Sequence, residues 1–283
     1  MKKIAVIGDI HCHLQLFEQV INEVDGQVDD YIFLGDYITD GPHANEILNI
    51  VKNRSENVIL GNREVDIINY DEQKIINSVR YRSKMYTLKE INNENLGFLK
   101  KLPIYQIIEI KNKRICFCHG SPYHVKDEVF NKSLTLFDRL IADFDCDVYL
   151  FGHQHRPFYL EYRKRIFINP GSVNSPLDGR ATCKYGILEI AENIVYHQKE
   201  IVYDWHIAKK YYLESDYFKA CPEWSNLLIY ILRDGIDYRK LFIDKVLQAR
   251  IDWEHLHEDE WHNLFVEFMK KYNLKIIKAV ANE

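Results

Sequence analysis

The sequence predicts an α/β fold, and three observations predict it. Short apolar runs stop abruptly at glycine turns that carry polar residues. Segments with apolar residues at helical spacing separate those runs, and in the second half the pattern turns to paired strands.

Lys3 to Ile7 reads as a buried strand ending at Gly8-Asp9-Ile10-His11. Leu14, Phe17, Val20, Ile21 and Val24 recur at helical spacing, so a helix should cover that strand. Tyr31 to Leu34 is a second strand, followed by Gly35-Asp36-Tyr37-Ile38-Thr39-Asp40-Gly41-Pro42. A carboxylate in a glycine turn at the end of a buried strand points into a cleft, and the chain is expected to be organised around Asp36. Ala44, Ile47, Leu48 and Val51 mark a second helix, and Asn57 to Leu60 predicts a third strand ending at Gly61-Asn62-Arg63-Glu64.

Residues 65 to 101 break this rhythm. They carry Tyr70, Arg80, Tyr81, Arg82, Lys84 and Tyr86, then Thr87-Leu88-Lys89-Glu90, a capping-box pattern predicting a helix to about Leu99. The basic and tyrosine residues are either a solvated helix face or a cap-like insertion lining a substrate cleft with cations and stacking rings. Tyr105 to Ile110 and Arg114 to Cys118 read as a hairpin around Lys111-Asn112-Lys113, ending at His119-Gly120. A helix over 134–144 precedes the strand Val148 to Phe151, which ends at Gly152-His153-Gln154-His155. Arg165 to Ile168 ends at Asn169-Pro170-Gly171-Ser172, and Tyr185 to Ile190 with Ile194 to Val202 closes as an antiparallel pair. A parallel half followed by an antiparallel half suggests two sheets packed face to face with helices outside. Beyond about residue 203, Leu227, Leu228, Ile231, Leu241, Val246, Leu247, Trp261, Leu264, Phe265 and Phe268 keep helical spacing. The expected division is a domain over 1–203, with 65–101 inserted, and a helical C-terminal extension over 204–283.

The 283 residues are 47% hydrophobic and 28% charged, proportions of an ordinary globular chain rather than a disordered one. A net charge of −5 argues against electrostatic nucleic-acid binding, which needs a basic face. The apolar N-terminal run ends at Asp9, too short for a signal or a membrane span, and no later run is long enough. Six scattered cysteines without a C-x-x-C spacing fit reduced thiols and a cytoplasmic location. Cys116 and Cys118 fall on one strand face as small buried hydrophobes.

The strand ends together supply Asp9, His11, Asp36, Asn62, His119, His153 and His155. Seven oxygen and nitrogen donors, each beside a glycine turn or within two residues of one, point to a metal site. Imidazole with carboxylate suits Mn, Fe, Zn or Ni rather than Ca or Mg. In Asp9-x-His11 and His153-x-His155 an extended backbone would aim both members at one cleft. More ligands than one ion needs favours two divalent transition-metal ions sharing a bridging carboxylate. Ions about 3.5–4 Å apart clamp a phosphate and hold a water as hydroxide for in-line attack. His255, His257 and His262 are expected to be surface helix residues.

Asp9-Ile10-His11, Gly35-Asp36, Gly61-Asn62, His119-Gly120 and Gly152-His153-Gln154-His155, in that order, resemble the calcineurin-like metallophosphoesterases. Asn169-Pro170-Gly171-Ser172-Val173 resembles a further signature of the family's small bacterial and archaeal phosphodiesterase branch. The resemblance covers about residues 1 to 200 and implies a four-layer α-β-β-α sandwich. It implies one metal held by Asp9, His11, Asp36 and His155, and a second held by Asp36, Asn62, His119 and His153, with manganese favoured. Its third motif usually reads Gly-Asn-His, and that histidine contacts phosphate and assists the leaving group, whereas this chain has Arg63. Arginine stays protonated and cannot be an ordinary general acid, but it grips phosphate oxygens bidentately. That favours a substrate with a good leaving group. His13 is either an alternative proton donor at the cleft or a first-turn helix residue. Tyr203-Asp204, Ala208-Lys209 and Tyr217-Phe218 resemble the C-terminal extension of asymmetric diadenosine tetraphosphate hydrolases, which implies a dinucleoside polyphosphate as one candidate substrate.

The expectation is therefore a binuclear phosphodiesterase or pyrophosphohydrolase acting on a small phosphorylated substrate, with Asp36, Asn62, Arg63 and His13 at the chemistry. The rival is a metal-binding scaffold that has lost catalysis, supported by Arg63 alone, and a nuclease is disfavoured by the acidic charge. The aromatic faces of the C-terminal helices are expected to form a lid or a homo-oligomer surface.

Overall fold

A computed structural model describes residues 1–70, 79–249 and 256–278. Four strands form one sheet: β1 (Lys2–Ile7), β2 (Asp30–Phe33), β8 (Thr182–Ile190) and β9 (Ile194–Val202), in the order β2-β1-β8-β9. Five form the other: β3 (Tyr105–Ile110), β4 (Lys113–Cys118), β5 (Val148–Leu150), β6 (Phe158–Tyr162) and β7 (Arg165–Asn169), in the order β3-β4-β5-β7-β6. Both are mixed. β1 runs parallel to β2 and antiparallel to β8, while β5 lies parallel between β4 and β7.

Alternation along the strands sorts side chains into layers. Ile4 and Val6 of β1 meet Ile115 and Phe117 of β4 and Val148 and Leu150 of β5 in a core between the sheets. Ala5 and Ile7 face the opposite way, under α1 (Leu14–Val24) and α2 (Ala44–Arg54). On the far side, Cys116, Cys118, Tyr149 and Phe167 pack against Phe137 and Leu140 of α6 (Leu134–Phe144). Helix, sheet, sheet, helix is the four-layer arrangement the resemblance implied, and Cys116 and Cys118 share one buried face.

Three sequence expectations need correction. The sheets do not divide by sequence half, because β8 and β9 return to pair beside β1. Asn57 to Leu60 is not a strand. It makes one bridge, Phe33 to Val58, and its other backbone groups go to Ser55, Glu56, Gln106, Tyr37 and Pro103. Thr87 caps no helix: it lies within α4 (Val79–Glu90) and its hydroxyl donates back to Ser83 O. The cap belongs to Asn92, whose side chain accepts from Asn95 N–H at the start of α5 (Asn93–Leu99).

Nor does the described part of 65–101 line the cleft described below. Arg82 pairs with Glu258, Lys84 with Asp66, and Tyr86 packs edge-on against Tyr217. The side chain of Arg80 lies outside the described residues. Helix α4 instead packs against α8 (Asp216–Ala220) and α9 (Pro222–Asp234) of the C-terminal region. With α7 (Trp205–Leu213), α10 (Tyr238–Ala249) and α11 (Glu258–Lys271), these bury Tyr212, Trp224, Phe242, Trp261 and Phe265 in the core that also holds α1 and α2. His257 precedes α11 and His262 pairs with Glu223, while His255 lies outside the described residues. Among the described residues no helix is long and apolar enough to cross a membrane.

Candidate metal centre

The polar turns that follow β1, β2, β4 and β5 meet at one edge of the two sheets. Asp9 and His11 follow β1, Asp36 follows β2, His119 follows β4, and His153 and His155 follow β5. Asn62 opens α3 (Asn62–Ile68). The two β1 and β2 turns clasp one another, with Asp9 N–H donating to Gly35 O and the N–H groups of Ile10 and His11 both to Asp36 O. The expected extended backbone is not found. Asp9, His11, Asp36, His153 and His155 have φ of 54°, 45°, 53°, 68° and 55°, in the left-handed region that side chains avoid. Each such residue costs roughly 1 kcal/mol or more, and it persists where the surroundings over-determine the loop.

Those surroundings are specific. Glu64 is buried and accepts the N–H groups of Asp36, Tyr37, Ile38 and Gly61, joining the Asp36 turn to the start of α3. Burial and the neighbouring Asp36 push its pKa up to about 7, against the bonds from Ile38 and Gly61 and the nearby His119. Gly61 must be glycine, because a Cβ there would collide with Asp36. The segment after β7 buttresses two turns. Asn169 Nδ2 donates to Gly152 O at 2.6 Å, Val173 N–H to Gly8 O, and Asn174 Nδ2 to His11 O.

The donor atoms fall into two groups, Asp9 with His11 and His155, and Asp36 with His119 and His153, each within 4.8 Å internally. His153 and His155 therefore serve different groups. Asp36 lies between them, its Oδ2 3.6 Å from His11 Nε2 and its Oδ1 3.4 Å from His119 Nε2. Asn62 Oδ1 is 3.2 Å from His119 Nε2, and Asp9 Oδ1 is 3.2 Å from His155 Nε2. His119 Nδ1–H donates to Leu34 O at 2.8 Å and His155 Nδ1–H to Ser175 O at 2.7 Å. Those bonds fix the tautomers and leave both Nε2 lone pairs facing inward.

This set fits cations. His11 Nδ1 has no hydrogen-bond partner and lies 3.7 Å from Asp40 Oδ2, which favours an Nδ1–H tautomer. Its Nε2 lone pair then faces that of His155 at 3.1 Å, an approach a shared cation relieves. Burial acts to raise the Asp36 carboxyl, yet His119, His11 and Arg63 hold it well below the ordinary carboxylate value. Burial opposes a charge on His119, but Asp36 and Asp9 raise its pKa to about 9. A cation at that nitrogen takes the place of the proton, giving the imidazole and carboxylate set that suits a divalent transition metal.

Arg63 lies at this edge. Its backbone N–H donates to Asp36 Oδ1 at 2.8 Å, and its guanidinium lies 3.3 Å from Asp40 Oδ2 and 3.8 Å from Asp36 Oδ2. Burial works against its charge, but Asp40 and Asp36 hold its pKa above the ordinary value. His13 is elsewhere, and the expectation that it faces the cleft is corrected. It is fully buried, accepts from Leu16 N–H at the start of α1, and stacks on Tyr211 at 4.1 Å, with burial lowering its pKa to about 3.

Reading the sequence missed Asp40 and Arg239. Asp40 is buried and receives Ser83 Oγ–H from α4, Trp224 Nε1–H from α9 and Arg239 Nη1–H from α10. Tyr212 Oη–H donates to its carbonyl. A cavity of about 480 Å³ opens above the centre, lined by His11, Asp36, Asn62, Arg63, His153 and His155 on one side and by Asp237, Arg239 and Lys240 from the C-terminal region on another. The acidic Asp40 two residues before Pro42 was a visible signal, but its hydrogen-bond partners lie 43 to 199 residues away.

Comparison with known proteins accords with this geometry. Residues 1–193 match the calcineurin-like phosphoesterase superfamily domain. An uncharacterized protein of Methanocaldococcus jannaschii is 29% identical over 252 residues, covering 81% of this chain and 98% of its own. A metallophosphoesterase from Sphaerobacter thermophilus superposes with a TM-score of 0.68 at 25% identity, covering 83% of this chain and 99% of that one. A hypothetical protein from Pyrococcus horikoshii is similar in fold, with a TM-score of 0.67 at 20% identity and the same coverage of 83% and 99%.

Proposed function

Because the chain belongs to the calcineurin-like phosphoesterase superfamily, we propose that it is a binuclear metal-dependent phosphoester hydrolase acting on a diester or pyrophosphate of a small molecule. The observation that carries the binuclear reading is Asp36, whose two oxygens face nitrogens of the two separate donor groups. Asp9, His11, Asp36 and His155 would hold one ion, and Asp36, Asn62, His119 and His153 the other. Divalent ions held there, manganese for preference, would supply Lewis-acid polarisation of a phosphoryl oxygen and lower the pKa of an attacking water.

The chain's own residues do the rest. Leu34 O and Ser175 O fix the orientation of His119 and His155, so their nitrogens need no rearrangement when charge develops. Arg63 presents a permanent cation at the cavity edge, suited to stabilising phosphoryl oxygens. It cannot protonate a leaving alkoxide, and among the described residues lining this cavity none takes the place of the histidine that usually follows Asn62 in the family, so good leaving groups are favoured. Asp36→Asn or His153→Ala should abolish manganese-dependent hydrolysis of bis-p-nitrophenyl phosphate. Full activity in either variant would sink the proposal, as would a metal-filled wild type inert towards a broad panel of phosphoesters.

A further inference from the structure

Two guanidiniums share one buried carboxylate oxygen at the wall of the cavity. Arg239 Nη1 lies 2.9 Å and Arg63 Nη2 3.3 Å from Asp40 Oδ2, and both side chains line the space above the metal ligands. They come from opposite ends of the chain, Arg63 from α3 and Arg239 from the first turn of α10. Both are nearly enclosed, with side-chain exposures of 13% and 9%, so a charge they meet is met away from bulk water.

Their other contacts leave donors over. Arg239 Nε lies 3.5 Å from Asp237, and Arg63 Nε has no hydrogen-bond partner. Each guanidinium carries five N–H donors, more than these contacts use. Asp40 is occupied on its other oxygen by Ser83 and Trp224, which hold it in place as the seat of the pair. The remaining charged lining is Lys126, bonded to Asp66, Lys240, bonded to Asp244, Arg156, Glu128 and Asp237. Among the described lining cations, Arg63 and Arg239 are the two fastened to one anchor, and Arg63 also lies 3.8 Å from Asp36 Oδ2.

A phosphoryl group held between the metal-ligand groups would meet Arg63, whose guanidinium lies 3.8 Å from Asp36 Oδ2, whereas Arg239 sits on Asp40 and Asp237, further along the wall. We propose that Arg239 is a specificity-determining residue, and that with Arg63 it forms a subsite for a second phosphoryl group linked to the one being cleaved. The substrate class is then a compound with a pyrophosphate linkage rather than a simple diester. This rests on the phosphoester hydrolase reading above and narrows it. It also gives the C-terminal region a direct part in choosing substrate.

The test compares inorganic pyrophosphate with inorganic phosphate on the manganese-loaded full chain. Both are measured as competitive inhibitors of bis-p-nitrophenyl phosphate hydrolysis, and their binding is measured separately by titration calorimetry. Wild type should prefer pyrophosphate, and Arg239→Ala should weaken pyrophosphate about tenfold or more while changing phosphate less than about twofold, the loss expected for one charge-assisted contact. Arg239→Lys, which keeps the charge and the Asp40 pairing, should fall between and serves if the alanine variant does not fold. Equal binding of the two anions by wild type, or an equal change in both in a folded variant, would overturn the proposal. Calorimetric preference without any metal-dependent hydrolysis would support the subsite and overturn the hydrolase reading; hydrolysis without preference would do the reverse.

Discussion

Arg63 keeps its charge despite burial because Asp40 and Asp36 lie against it, and under the proposed hydrolase reading that side chain limits the site to esters with good leaving groups. A histidine at position 63 would add a proton donor where the phosphoryl leaving group departs. General acid catalysis is typically worth 10²- to 10⁴-fold, so Arg63→His should raise alkyl relative to aryl phosphoester hydrolysis by about tenfold or more. The measurement is the dependence of kcat/KM on leaving-group pKa, and an unchanged slope would contradict this role. The candidate ligands were legible one by one, because Asp9, Asp36, His119 and His153 each follow a buried apolar run and a turn. Their backbone was not. An apolar-to-polar boundary reports where a strand ends, whereas φ values of 45° to 68° are set by clasped turns and by Glu64, which periodicity does not encode. Of the two readings of His13, proton donor at the cleft or first-turn helix residue, the structure fits the second, because the helix start turns its ring onto Tyr211.

The elements show the same division. β1, β2, β4, β5 and β7 were readable as short buried runs, and β6 was missed because Phe158-Tyr159-Leu160-Glu161-Tyr162 at a sheet edge alternates half-buried with exposed positions and buries none fully. Asn57 to Leu60 has strand composition, but sits where side chains and loops satisfy its backbone. Thr87-Leu88-Lys89-Glu90 has a capping pattern, and tertiary packing of α4 on α8 and α9 carries the helix through it. Asp40 is the joint between these helices and the β2 turn. Asp40→Asn would leave Arg63 and Arg239 without their shared buried carboxylate, a loss of about 3–5 kcal/mol by the usual cost of breaking such pairs. Urea unfolding should show it, and a change under about 1 kcal/mol, the range of a surface pair, would show that the joint carries little. Trp224→Phe removes one neutral donor to the same carboxylate and should cost about 1–2 kcal/mol.

At the scale of the whole molecule, the region beyond residue 203 had read as an appendage. Its aromatic residues belong to the same core as α1 and α2, and Tyr211 and Tyr212 reach the turn after β1 and the Asp40 carbonyl directly. No composition shift announces this, because a helix that covers a neighbour has the same spacing as one that extends free. Ending the chain at residue 203 would uncover that core and remove three partners of Asp40, against a net stability of only about 5–15 kcal/mol for a typical domain. The truncated chain should therefore fail to give a cooperative thermal transition; a sharp transition with full metal-dependent activity would show that the two parts fold independently. The central claim, that turns from four strands and α3 assemble two cation sites around Asp36, is tested most directly by metal titration. Apo-protein titrated with manganese, with bound metal counted by elemental analysis and hydrolysis of bis-p-nitrophenyl phosphate followed in parallel, should saturate at two ions per chain with activity rising to the same point. Saturation at one ion, or hydrolysis that persists unchanged without metal, would contradict it.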